Sequence, residues 1–151
     1  MSHHLSEPTP VRRVDQLLAH YALSHQHPSN EAIHLLAIPV IMLSLIGLLY
    51  EAQPWLALGF VGASMVYYMR LSLGYLFIMA LVSGLMLFAV HAMGEQRLTL
   101  CTALFAGGWL AQFIGHNIEG RKPSFFEDIQ YLWVGPLFVL SRLTARGART
   151  E

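Results

Sequence analysis

The sequence is short of charge, of lysine and of cysteine, and each shortage excludes something. Only 12% of its 151 residues are charged, about half of the roughly 25% usual in a soluble domain. The deficit lies in the middle. From Ile33 to Ile118 the only charged residues are Glu51, Arg70, Glu95 and Arg97. Such a stretch cannot be the surface of a water-soluble globule, so lipid is the expected solvent there. Lys122 is the only lysine and the formal net charge is zero. With no basic stripe or tail, nothing points to nucleic acid. Cys101 is the only cysteine, which excludes an intrachain disulfide and a zinc site built on thiolates. Within its apolar run it reads as a small buried residue. The polar stretch Met1 to Thr9 has no apolar core, which predicts no cleavable signal peptide.

What the chain does have is apolar length, with 55% hydrophobic residues. A bilayer core takes about 20 apolar residues as helix. Four runs approach that length: 33–50, 55–69, 71–93 and 98–118. They end at Glu51-Ala52-Gln53-Pro54, at Arg70, at Gly94-Glu95 and at Glu119-Gly120-Arg121. The second is short and spans only with little tilt, or by letting Arg70 snorkel. The expected fold class is therefore an all-α membrane protein with four transmembrane helices. In residues 11–24, Val11, Val14, Leu17, Leu18 and Tyr21 recur at helical spacing and predict an amphipathic helix lying on the membrane. Ser124 and Glu127 match a capping box, and with Gly135-Pro136 they predict a second interfacial helix over 125–141. Asp128 suits the positive end of that helix. Residues 1–10 and 144–151 read as disordered tails around one membrane domain, 11–143.

Basic residues orient the bundle. Four crossings put both termini and the Arg70 loop on one side, which then holds Arg12, Arg13, Arg70, Arg121, Lys122, Arg142, Arg146 and Arg149; the other side holds only Arg97. The positive-inside rule makes the first side cytoplasmic. The small residues Gly59, Gly62, Ala63, Gly107 and Gly108 suit close helix contact. Whether they serve one chain or pair two copies as a homodimer stays open.

The eight histidines sort by depth and side. His3 and His4 sit in a tail, and His91 ends the third run at the far face, where a polar tip is cheap. His20, His25 and His27 precede the first run, His34 opens it, and His116 closes the fourth. An even number of crossings returns the chain to the face it left, so His25, His34 and His116 can meet there. Imidazoles are common ligands for zinc, iron and copper. Two readings stay open: a metal site, or interfacial histidines satisfied by water and headgroups.

Other polar residues gather at the same face. Asn30 lies between His25 and His34. Gln112, His116 and Glu119 are spaced to share one helical face. A glutamine one turn inside a span is expensive; it either orients a histidine ring from behind or bonds a neighbouring helix. Arg121 and Lys122 could bind an anionic headgroup or a substrate carboxylate, though the positive-inside pattern also accounts for them.

Two segments are then telling. One is Tyr21-x-x-x-His25-x-x-Pro28-x-Asn30-x-x-x-His34, followed by Pro39. The other is Gln112-x-x-Gly115-His116-x-x-Glu119-x-x-x-Pro123, followed by Gly135-Pro136. In order, and flanking about four spans, they resemble a small membrane family typified by the yeast endoplasmic-reticulum dioxygenase of phytosphingosine breakdown, formerly a domain of unknown function. The resemblance covers about residues 16–141. It implies an iron(II)-dependent dioxygenase of fatty-acid α-oxidation, which uses O₂ to cleave C1–C2 of a long-chain 2-hydroxy fatty acid and leaves an acid one carbon shorter. It also implies His25, His34 and His116 as iron ligands, with Glu119 as a further ligand or a base. The substrate carboxylate falls to Asn30, Arg121 and Lys122, and Gln112 stands behind a ligand. The membrane would be the inner membrane of a bacterium or the endoplasmic reticulum of a eukaryote.

The competing classes are weaker. A transporter needs polar groups through the bilayer centre, and the spans hold only Ser44, Ser64, Ser83 and Thr102 there. A di-iron desaturase needs clustered histidine motifs that do not occur. A non-catalytic membrane scaffold or lipid-binding protein with incidental histidines is the remaining alternative.

Overall fold

The computed structural model describes residues 27–120, together with Gln16 and Pro136 as single positions. The expected interfacial helices, both tails, His3, His4, His20, His25, Arg121 and Lys122 lie outside the described residues. Within them the chain forms four α-helices: α1 Pro28–Ala52, α2 Pro54–Leu71, α3 Leu73–Ala92 and α4 Arg97–Glu119, with a 3-10 turn, Gly94–Gln96, before α4. Each matches an expected apolar run. The largest difference is that α1 begins about one turn earlier than hydropathy alone suggests.

Local chemistry explains the ends. Pro28 stands in the first turn of α1, where its missing N–H costs nothing, and the His27 Nδ1 accepts from the Ser29 amide at 3.2 Å. Gln53 is extended and the next residue, Pro54, restarts the chain as α2. Ser72 ends α2 and begins α3, its Oγ accepting from the Gly74 amide. Gly120 closes α4 in the left-handed conformation, φ 71°, which glycine adopts without a Cβ penalty.

The helices alternate in direction. At one end Tyr50 Oη lies 3.3 Å from His91 Nδ1. Arg97 there reaches the Glu51 carboxylate at 3.0 Å and donates to the Val90 carbonyl at 2.8 Å. Its guanidinium also lies 4.7 Å from the centre of the Tyr50 ring. The ends of α1 and α3 and the start of α4 therefore share this end. The turn from α2 into α3, where Tyr68 and Met79 pack together, lies away from it.

The distribution of polarity is inverted relative to a soluble bundle. Trp55, Phe77 and Phe88 are 76%, 72% and 72% exposed, whereas Asn30 and His34 are 0% and 1% exposed. A surface so apolar calls for hydrocarbon around it. Helices α1, α3 and the segment Gly94–Glu119 are long and apolar enough to cross a membrane by length and composition. Ser44 and Ser64 are buried, but each hydroxyl donates to a carbonyl of its own helix, Ile41 and Phe60. They need no polar path.

α1 is the central helix, and its main partner is α4. Glycine brings the two close at three levels: a Cβ on Gly47 would strike Cys101 Sγ, one on Gly108 would lie 2.6 Å from Ile41 Cγ1, and one on Gly115 would strike Asn30 Oδ1. Of the small residues expected to make contacts, Gly108 does. Gly59, Gly62 and Gly107 face open space, and Ala63 is exposed.

Candidate functional site

The lowest of these three levels carries the polar cluster. Starting at Pro28 puts Asn30 in the first turn of α1 and His34 one turn later. The His34 Nδ1 lies 3.0 Å from the Asn30 main-chain oxygen. A carbonyl oxygen only accepts, so Nδ1 carries the hydrogen and the lone pair is on Nε2. That tautomer is the one a histidine needs to bind a metal or take a proton through Nε2.

α4 supplies the other half. Gln112, Gly115 and His116 are buried, and Glu119 is half-buried one turn beyond. The rings of His34 and His116 meet edge to face, with centroids 5.0 Å apart. The Asn30 Nδ2 donates to the Glu119 Oε2 across 89 residues of sequence. Because that acceptor is a carboxylate, the amide orientation is fixed. Its Oδ1 turns to Gly115, where it is buried with no hydrogen-bond partner among the described residues, as is the Gln112 Oε1. Two buried acceptors without donors are unusual and expensive, at about 1–3 kcal/mol each.

Of the expected site residues, the structure thus brings together Asn30, His34, Gln112, His116 and Glu119. His27 is exposed, with its Nδ1 engaged at the start of α1. His91 is at the opposite end, as expected. Gly115 is the residue of this cluster that reasoning on the sequence left without a role; its place beside His116, where the two helices touch, is the signal.

The described residues contain no group of three histidine, cysteine, aspartate or glutamate side chains that could hold a metal. What they do present is two buried imidazoles in contact, one with its tautomer set. That is a donor set suited to part of an iron or zinc site, needing a ligand from beyond the described residues. Farther along α1, Pro39, Val40 and Leu43 face Val82, Leu85 and Met86 of α3 across an apolar groove of about 320 Å³.

Comparison with known proteins gives two findings. Residues 11–147 match the family model described as 2-hydroxy-palmitic acid dioxygenase Mpo1-like. Over 130 residues, 82% of this chain and 75% of the relative, the sequence is 28% identical to the 2-hydroxy-palmitic acid dioxygenase MPO1 of Saccharomyces cerevisiae. No solved structure matches the chain.

Proposed function

Because the chain belongs to the 2-hydroxy-palmitic acid dioxygenase Mpo1-like family, we propose that it is an iron(II)-dependent dioxygenase of long-chain 2-hydroxy fatty acids. It cleaves the C1–C2 bond with O₂ and leaves an acid one carbon shorter. The observation that carries the reading is the contact between His34 and His116 at one end of a bundle whose middle is apolar.

His34 and His116, completed by His25, would hold the metal. Iron(II) held there would supply the activation of O₂ and a Lewis acid for the 2-hydroxy acid head. The protein's own groups do the rest. The Asn30 carbonyl holds the His34 tautomer. The buried Gln112 amide oxygen offers an acceptor one turn before His116 on α4. Arg121 and Lys122 follow α4 directly and suit the carboxylate head. The apolar groove between α1 and α3 suits the tail, which enters it without losing contact with hydrocarbon. An amphiphile is thereby held with C1 and C2 at the polar end, the proximity that the cleavage requires.

The same reading makes the bundle cross its membrane four times with both termini cytoplasmic. α1 and α3 end side by side, so α2 must carry the chain back between them. At about 1.5 Å per residue, its 18 residues reach about 27 Å, close to a hydrocarbon core of about 30 Å. The membrane is the inner membrane in a bacterium or the endoplasmic reticulum in a eukaryote.

The test of function is conversion of 2-hydroxypalmitate by detergent-purified, iron-loaded protein. Pentadecanoic acid should form with matching O₂ uptake, and His34→Ala and His116→Ala should each lower the rate by at least ~100-fold. Product formation that survives both substitutions contradicts the assignment.

A further inference from the structure

We infer that Asn30 and Glu119 form a positioning pair that locks the first turn of α1 to the last turn of α4, with Glu119 acting through Asn30 rather than on metal or substrate. The inference rests on the dioxygenase reading for what the locked groups do. Its geometry stands apart from that reading.

Asn30 is fully buried and touches both halves of the site. Its main-chain oxygen takes the His34 Nδ1 hydrogen, its Nδ2 donates to the Glu119 carboxylate, and its Oδ1 fills the space left by the absent Cβ of Gly115, next to His116. A hydrogen bond from an amide to a carboxylate is charge-assisted and about twice as strong as a neutral one. Here it joins residues on two different helices at the level where the histidine rings meet. Rotation of either helix about its axis, or sliding of one along the other, would break that bond and separate the rings. The carboxylate oxygen facing Asn30 is therefore occupied in holding the helices. A base or metal ligand would have to act through the other oxygen alone.

The pair makes an unusual prediction because amide and carboxylate are near-isosteric. Asn30→Asp alone sets two carboxylates against each other. Glu119→Gln alone keeps an acceptor facing Asn30, with the charge lost. Asn30→Asp with Glu119→Gln restores one donor and one acceptor in reversed order. Each protein is purified in detergent. Thermal midpoint is measured without metal, iron(II) affinity by anaerobic titration, and kcat and KM with 2-hydroxypalmitate. Asn30→Asp should lower the midpoint and weaken iron binding by ~10–100-fold, the usual penalty for disturbing a group that orients a ligand. Glu119→Gln should lose only a few-fold, and the double variant should recover both midpoint and affinity to near the wild-type values. A Glu119→Gln protein that loses activity as completely as His116→Ala, with no recovery in the double variant, overturns the inference and makes Glu119 a ligand or base. Should the wild-type protein bind no iron and turn over no substrate, the midpoint series alone decides: recovery upholds the pair, and no recovery overturns it.

Discussion

The Nε2 lone pair of His34 is what the site turns on, and it is set by an atom four residues earlier. The Asn30 carbonyl fixes which ring nitrogen carries the hydrogen, and Asn30 in turn is seated by the missing side chain of Gly115. Adding one methyl at Gly115 tests that dependence. Gly115→Ala should push Asn30 off its seat, at an overpacking cost of about 1–3 kcal/mol, and lower kcat by at least ~10-fold. Gly107→Ala, on the outer face with open space around it, should leave kcat unchanged. Equal kcat in the two variants would show that Gly115 is ordinary helix surface. The histidine pair itself was legible in the sequence, since parity of crossings alone returns His116 to the face of His34. The bond between Asn30 and Glu119 was not. It depends on the rotation of two helices about their axes, which hydropathy does not encode, and on α1 starting at Pro28.

At the scale of elements, α1 is a helix of two characters. Its last three turns pack by apolar contact, with Ile46 against Ala57 and Val90; its first two turns bury Asn30 and His34 against α4. Pro39 lies between these parts; a proline removes one ladder hydrogen bond at that point. Four apolar runs gave four helices with ends shifted by a few residues, because Pro28, Pro54 and Gly120 punctuate the backbone where hydropathy fades gradually. The small residues Gly59 and Gly62 on α2 meet no neighbour among the described residues; a Gly-x-x-Gly spacing says that a face is flat, not which neighbour it meets. α2 is also the element on which the topology depends. Single cysteines at Glu31, Arg70 and Glu95, each in a Cys101→Ala background, should divide under a membrane-impermeant thiol reagent. Those at Glu31 and Arg70 should label from one side, and that at Glu95 from the other. Labelling of the Arg70 and Glu95 positions from the same side would show that α3 does not cross.

For the whole molecule, the two ends are chemically unlike. One end ties α1, α3 and α4 with Arg97, Glu51, Tyr50 and His91, a set of contacts fully accounted for by stapling the helices. The other end gathers buried imidazoles and amides with the half-buried Glu119 carboxylate, leaving two amide oxygens without donors among the described residues. A bundle stabilised only for its own sake would not retain those, since apolar side chains of similar volume would cost less. That asymmetry favours the proposed enzyme over a scaffold with incidental histidines. It is tested most directly by the iron content of the detergent-purified protein after anaerobic loading with iron(II) and removal of excess metal. Near-stoichiometric iron, lost in His34→Ala and in His116→Ala but kept in His91→Ala, is the predicted result. Absence of iron from the wild-type protein, or its retention in both site variants, would contradict the account and leave the scaffold as the better description.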